Sequence, residues 1–179
     1  MTDANADLRA LIRTIPDFPK PGIGFRDITT LLLDGPGFAL TIDRMAAAVD
    51  PWPDAIAAIE ARGFIFGAAL AEKLGCGLVL LRKKNKLPGQ VTGINYVLEY
   101  GQDRIEMHSD AVVPGARILL VDDLIATGGT ALAGVQLLRG AGAFVTGANF
   151  VIDLPGLGGA KRLHDAGVHV SALLAFDGD

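Results

Sequence analysis

Ile118-Leu119-Leu120-Val121-Asp122-Asp123-Leu124-Ile125-Ala126-Thr127-Gly128-Gly129-Thr130 is the stretch that decides the fold. Ile118 to Val121 are apolar without polar alternation, the pattern of a parallel strand covered on both faces. Two carboxylates follow at its C-terminal end, and a short loop closes on Thr-Gly-Gly-Thr. A helical pattern then begins, with Leu132, Val135 and Leu138 on one face.

The same rhythm extends outward in both directions. Helical patterns cover 38–49, 64–74, 130–140 and 159–166, and strand-like runs cover 55–59, 77–81, 117–121, 144–152 and 168–174. Strand, crossover helix and strand in repetition predict an α/β fold of three layers around a central, mostly parallel sheet with right-handed crossovers. Residues 14–37, rich in Pro and Gly, read as an irregular cap. Residues 82–110 open on a basic cluster, pass through Leu87-Pro88-Gly89-Gln90, and continue as short strand-like pieces around 96–100 and 105–107. A connection of that length in a compact domain is commonly a functional lid. No internal repeat or second domain is visible, so residues 1–179 read as one domain.

Composition narrows the function. Half of the 179 residues are apolar, enough for a substantial core. Sixteen basic against twenty acidic residues give a net charge of -4, which argues against a broad nucleic-acid-binding face. Apolar runs stop well short of the roughly 20 residues a membrane helix needs, and charges in the first residues argue against a secretory signal. Cys76 is the single cysteine, so no intrachain disulfide forms, and His108, His164 and His169 show no metal-ligand spacing. A reducing, cytoplasmic setting with neither nucleic acid nor membrane as partner is the expectation, and no dedicated protein metal site is expected.

The quoted stretch also carries chemistry. Ligands of open α/β sheets bind at the C-terminal edge of the strands. Gly128 and Gly129 let backbone amides approach a bound group, the helix start favours an anion, and Thr127 and Thr130 add hydroxyls. No lysine follows the glycines, which excludes the ATP loop ending Gly-Lys-Ser/Thr, and the dinucleotide pattern Gly-x-Gly-x-x-Gly is absent too. Asp122 and Asp123 would repel a phosphate but suit the two hydroxyls of a ribose whose 5'-phosphate lies in the loop. Glu60-Ala61-Arg62-Gly63 lies between a strand and a helix, where amides and Arg62 can meet a second anion. Arg82, Lys83, Lys84 and Lys86 cluster after the strand 77–81, at the same edge.

The quoted run resembles the phosphoribosyl pyrophosphate signature of the type I phosphoribosyltransferases. Further segments match the branch of that family whose acceptor is adenine: Phe18-Pro19-Lys20-Pro21-Gly22-Ile23-Gly24-Phe25-Arg26-Asp27-Ile28-Thr29, Glu60 to Gly67, Arg82-Lys83-x-x-Lys86-Leu87-Pro88, and Leu98-Glu99-Tyr100-Gly101. They stand in the family's order over most of the sequence. The resemblance implies transfer of the phosphoribosyl group of the donor to adenine, giving AMP and diphosphate, with Mg2+ accompanying the donor and a homodimer as the usual assembly.

It implies site residues as well. Asp122, Asp123, Ala126, Thr127, Gly128, Gly129 and Thr130 would hold the ribose 5-phosphate, and Glu60, Ala61, Arg62, Arg82, Lys83 and Lys86 the diphosphate. Gly24, Phe25, Arg26 and Ala126 would hold adenine. The base edge would be read by the backbone and Phe25 would stack on the ring; Gly24 replaces a usually bulkier aliphatic residue. Glu99, Arg62 and Lys86 are the candidate catalytic residues, Glu99 facing N7 of the base. Tyr100 would belong to the lid over 82–110, and residues 1–37 would form a hood over the base. Two rival readings are a sibling transferase for guanine, hypoxanthine or xanthine, and a regulator that keeps the fold as a ligand sensor. The first should lack the Phe-Pro-x-Pro-Gly and Leu-Glu-Tyr-Gly elements; the second usually adds a DNA-binding domain or basic face.

Overall fold

The computed structural model describes residues 4–97 and 101–177. Its centre is a seven-stranded sheet of order β5-β6-β4-β3-β7-β8-β9. The strands are β3 (Ala55–Ile59), β4 (Gly77–Lys83), β5 (Val91–Val97), β6 (Gln102–His108), β7 (Arg117–Ile125), β8 (Phe144–Asp153) and β9 (Val170–Ala175). Five of them, β4, β3, β7, β8 and β9, run parallel; β5 and β6 form an antiparallel hairpin on the β4 edge. This is the predicted α/β architecture.

Helices α3 (Gly35–Ala47) and α4 (Gly63–Leu74) pack on one face, where Met45, Phe66 and Leu70 join Ile56, Val121 and Ile152 in one apolar cluster. Helix α5 (Gly129–Gly140) covers the other face, where Val135 and Leu138 meet Leu81, Leu120 and Phe150; α6 (Gly159–Asp165) adds Leu163 to the same cluster. Residues of β7 alternate between the two clusters, Ile118 and Leu120 on one side and Leu119 and Val121 on the other. A strand apolar at every position is therefore a strand with helices on both faces.

Three segments depart from the expectations. Residues 14–37 are not irregular: β1 (Arg13–Ile15) pairs antiparallel with β2 (Phe25–Asp27), and the one-turn helix α2 (Thr29–Leu33) follows. Ile28 and Leu31 join Leu8 of the short helix α1 (Ala6–Ala10) in the same apolar cluster as α3 and α4. Helix α3 begins at Gly35, ahead of the predicted 38, because Asp34 accepts a hydrogen bond from Gly37 N at 2.7 Å and Pro36 stands in the first turn. That is where proline is tolerated. In residues 82–110, where short strand-like pieces were expected around 96–100 and 105–107, the strands are longer and pair as the β5–β6 hairpin, registered from Val91 opposite His108 to Val97 opposite Gln102.

Candidate active site

The C-terminal ends of β3, β4 and β7 converge on a cleft of about 360 Å3. Its floor is the connection from β7 to α5. Gly128 caps α5 with a left-handed φ of 75°, and the first helical hydrogen bond runs from Leu132 N to the Gly128 carbonyl at 2.9 Å. The amides of Gly129, Thr130 and Ala131 precede that bond and so have no helical acceptor. All three residues line the cleft, with Thr127 beside them. Such a floor binds an anion.

This loop is braced by a glycine outside the quoted stretch, at the start of α6. Gly159 N donates to the Ala126 carbonyl at 2.9 Å, and a Cβ on Gly128 would stand only 2.9 Å from Gly159 Cα. A Cβ on Gly159 would collide with the Ala126 carbonyl. Two backbones touch here with no room for a side chain. Gly-Gly at 158–159 was the available signal, but nothing local ties it to a loop some thirty residues upstream.

Asp122 and Asp123 stand on the wall of the cleft. Asp123 is buried, and Arg62 Nε lies 2.9 Å from its Oδ2, an ion pair out of line for a hydrogen bond. That oxygen has no hydrogen-bond donor among the described residues. Asp122 Oδ1 accepts from Asp123 N at 2.8 Å. Burial, followed by the negative charge of Asp123, pushes the Asp122 carboxyl well above the ordinary range, against the pull of Arg62. The α4 terminus adds to the enclosure, since a Cβ on Gly63 would lie 2.6 Å from Asp122 Oδ1. A pair of carboxylates with an unmet buried oxygen calls for donors from a ligand, as vicinal hydroxyls supply.

Glu60, Ala61 and Arg62 form the opposite wall, joined through a cis Glu60–Ala61 peptide. Glu60 N donates to the Leu81 carbonyl at 2.9 Å, and Glu60 Oε2 accepts from Arg82 Nε at 2.8 Å. Lys83 reaches the cleft from β4. Arg82 and Lys86 do not line it: Arg82 is committed to Glu60 and to the Lys86 carbonyl at 2.8 Å, and the Lys86 side chain is exposed. Glu99 and Tyr100 lie outside the described residues. Among the described residues no group of His, Cys, Asp or Glu is arranged to hold a metal ion.

A second cleft, of about 760 Å3, opens next to the first and shares Arg62, Leu124, Ala126 and Thr127 with it. Gly24, Phe25 and Arg26 line it together, and Leu124, Leu154 and Leu157 add an apolar side that the sequence reading missed. Their signal was weak, because isolated leucines after strands resemble any core leucine. Phe25 is held edge-on by Phe18, centroids 5.1 Å apart, and the Arg62 guanidinium lies 5.3 Å from its centroid. The Arg26 side chain is tied to the Thr14 hydroxyl at 2.6 Å and lies 4.7 Å over the Phe176 ring. Its backbone is left to serve the cleft.

Comparison with known proteins agrees with this geometry. The family model described as "Phosphoribosyl transferase domain" matches residues 29–168. The adenine phosphoribosyltransferase of Sphingopyxis alaskensis is 58% identical over 174 residues, covering 97% of this chain and 95% of the relative. That of Maricaulis maris is 56% identical over 176 residues, covering 96% and 99%. The crystal structure of the adenine phosphoribosyltransferase from Thermoanaerobacter pseudethanolicus superimposes with a TM-score of 0.91 at 45% identity, covering 96% of this chain and 99% of that one. The Saccharomyces cerevisiae enzyme, crystallised with an imino-altritol bisphosphate and adenine, gives a TM-score of 0.86 at 35% identity, with 94% and 97% covered. The chain belongs to the phosphoribosyltransferase family, among the adenine phosphoribosyltransferases.

Proposed function

We propose that the protein transfers the 5-phosphoribosyl group of phosphoribosyl pyrophosphate to adenine, releasing AMP and diphosphate. One observation carries the reading: an anion-binding cleft and an apolar slot share a wall, and a carboxylate pair stands on the anion side of it. The 5'-phosphate takes the Thr127–Thr130 loop, and the ribose hydroxyls donate to Asp122 and Asp123. The diphosphate faces Glu60, Ala61, Arg62 and Lys83, and adenine lies in the slot against Phe25. C1 of the ribose then falls at the shared wall, between leaving group and base.

The reaction breaks the bond from C1 to diphosphate and forms one to N9 of adenine. Positive charge develops on the sugar as negative charge leaves. The carboxylates face the sugar, while Lys83 and Arg62, itself paired with Asp123, face the diphosphate, so fixed electrostatics and orientation supply the rate. Mg2+ held by the donor would neutralise charge on the diphosphate, and Asp122 and Asp123 would be the hard-oxygen groups of the cleft available to it. Arg82 and Lys86 join the diphosphate end by turning from their present partners. Glu99 accepts the proton that the base loses, and residues 82–110, Tyr100 included, form the lid, as 1–37 form the hood.

Adenine presents an amine donor beside an acceptor nitrogen, whereas guanine and hypoxanthine present a carbonyl beside an N–H. A rigid pair of backbone carbonyl and amide groups in the segment 23–26 suits adenine and leaves about 1–3 kcal/mol unmet per mispaired group with the others. The protein works as a homodimer in the cytoplasm, where the single Cys76 stays reduced. Among the described residues, no helix is long and apolar enough to cross a membrane.

The test is formation of nucleotide and diphosphate from the donor with adenine, guanine, hypoxanthine and xanthine, each with and without Mg2+. Adenine should be preferred by at least tenfold in kcat/KM, and Mg2+ should be required. Preference for another purine would overturn the acceptor, and lack of turnover with every base would overturn the activity.

A further inference from the structure

Lys83 is the one ammonium among the described residues that lines the anion cleft, and the structure shows what holds it there. Strand register places Lys83 of β4 opposite Ile105 of β6, and Tyr96 of β5 opposite Asp103 of β6. The four residues therefore share one face of the sheet edge. Lys83 Nζ donates to Tyr96 Oη at 2.6 Å and to Asp103 Oδ2, with which it also forms an ion pair. Asp103 is itself oriented, since its Oδ1 accepts from Arg104 N at 2.7 Å. Tyr96 is buried to 9% exposure and completes its bonding with Asp103 Oδ2 at 3.2 Å and the Thr130 hydroxyl at 3.2 Å.

Donor counting gives this arrangement a consequence. An ammonium has three N–H groups. Asp103 and Tyr96 take two, which leaves one for the cleft. The Tyr96 hydroxyl gives its only proton to Asp103 and accepts from Lys83 and Thr130, so it ties the basic side of the cleft to the first turn of α5. An unrestrained lysine holds roughly 2 kcal/mol of rotamer entropy; one already clamped loses less of it on meeting an anion. Burial pulls the Lys83 ammonium down, but Asp103 and Tyr96 more than offset it, so Lys83 stays above its ordinary pKa and charged.

We propose that Asp103 and Tyr96 are positioning residues that hold Lys83 charged and aimed at the diphosphate of the donor. This deepens the function proposed above and rests on it. Neither residue contacts the reacting atoms; Asp103 acts through Lys83, and Tyr96 through Lys83 and its bond to Thr130.

The experiment is a double-mutant cycle. Asp103→Asn, Tyr96→Phe and Lys83→Met are made singly, and each of the first two is combined with Lys83→Met. KM for the donor, KM for adenine, kcat and the Kd of inorganic diphosphate with Mg2+ are measured, with thermal melts to verify folding. In the native background Asp103→Asn should raise the donor KM and the diphosphate Kd by roughly 10-fold, the scale of one weakened charge-assisted hydrogen bond. The adenine KM should stay within about 2-fold, and Asp103→Glu should recover part of the loss. Tyr96→Phe should act in the same direction with a smaller factor. On the Lys83→Met background Asp103→Asn should cost nothing further, and Tyr96→Phe should cost less than in the native background, only what its bond to Thr130 contributes.

Equal losses with and without Lys83 would overturn the proposal, since Asp103 would then act by itself. Tighter diphosphate binding by Asp103→Asn would also overturn it, because the carboxylate would be competing with the ligand for Lys83. If Asp103→Asn does not fold, the Tyr96→Phe arm decides by the same criteria. Failure of the unaltered enzyme to transfer to any base would sink the function itself, and the diphosphate titration would still read the Lys83 cycle.

Discussion

Asp122 is a residue whose placement sets function against stability. Its carboxyl is forced upward by burial and then by Asp123, so the ionised form destabilises the ligand-free fold. The sign follows from linkage: a raised carboxyl favours the folded state while protonated, and that advantage disappears as pH rises through the raised pKa. Asp122→Asn removes the charge and keeps an oxygen to accept from Asp123 N. The variant should therefore be more stable than the native protein near pH 8, on the order of 1 kcal/mol or about 2–4 °C in Tm for a protein of this size. The gain should shrink toward pH 4, where Asp122 is protonated anyway. Donor KM should rise by about tenfold over the same range where the charge matters, because an amide is a weaker acceptor for a ribose hydroxyl. Melting curves across pH 4–8, paired with donor KM, check both halves; a Tm difference independent of pH would contradict the assignment of the shift to Asp122.

At the scale of elements, the β7–α5 connection and the start of α6 form one unit through Gly128 and Gly159. Gly159→Ala puts a methyl group against the Ala126 carbonyl and must push the loop toward the cleft. The expected result is a loss of about 1–3 kcal/mol in stability together with at least a tenfold rise in donor KM. Gly158→Ala serves as the comparison: a Cβ there meets nothing within 4 Å, although the left-handed φ of 74° makes it strained. It should lower Tm without the matching KM effect. This contact also marks the limit of what a sequence displays. The cradle was legible because its strand, carboxylates, glycines and helix start are consecutive, and each residue type has one physical reason to stand there. Gly159, Leu154 and Asp103 were not, because their meaning comes from what the fold brings beside them. The β5–β6 hairpin was obscured by Gly93 and Asn95, which break the alternation, and the start of α3 by Gly35-Pro36-Gly37, which reads as a turn until Asp34 is seen to cap it.

At the scale of the whole molecule, part of β4 is open along one side. Among the described residues β4 meets β6 only through Arg82 and Lys83, so Gly77 to Leu81 have a partner strand on the β3 side alone. Leu78 and Leu80 are exposed on the α4 side of the sheet, opposite the inward-facing Val79 and Leu81, and Ile65 of α4 is exposed as well. A soluble protein seldom presents such a patch without a use for it. A second copy docking here would account for the homodimer proposed above and would rest against Arg82, next to the Glu60 wall. Leu78→Glu combined with Leu80→Glu should convert a dimer to monomer in sedimentation velocity, with reduced turnover; an unchanged sedimentation coefficient would place any dimer contact elsewhere.

Arg62, Leu124, Ala126 and Thr127 belong to both clefts, and that common wall bears on how the enzyme is restrained. With the placement proposed above, a nucleotide product would fill the phosphate cradle and the base slot together, and each bound product molecule would shut out both starting materials at once. Output is then self-limiting: as the nucleotide pool rises, free enzyme falls, with no separate effector site needed to sense it.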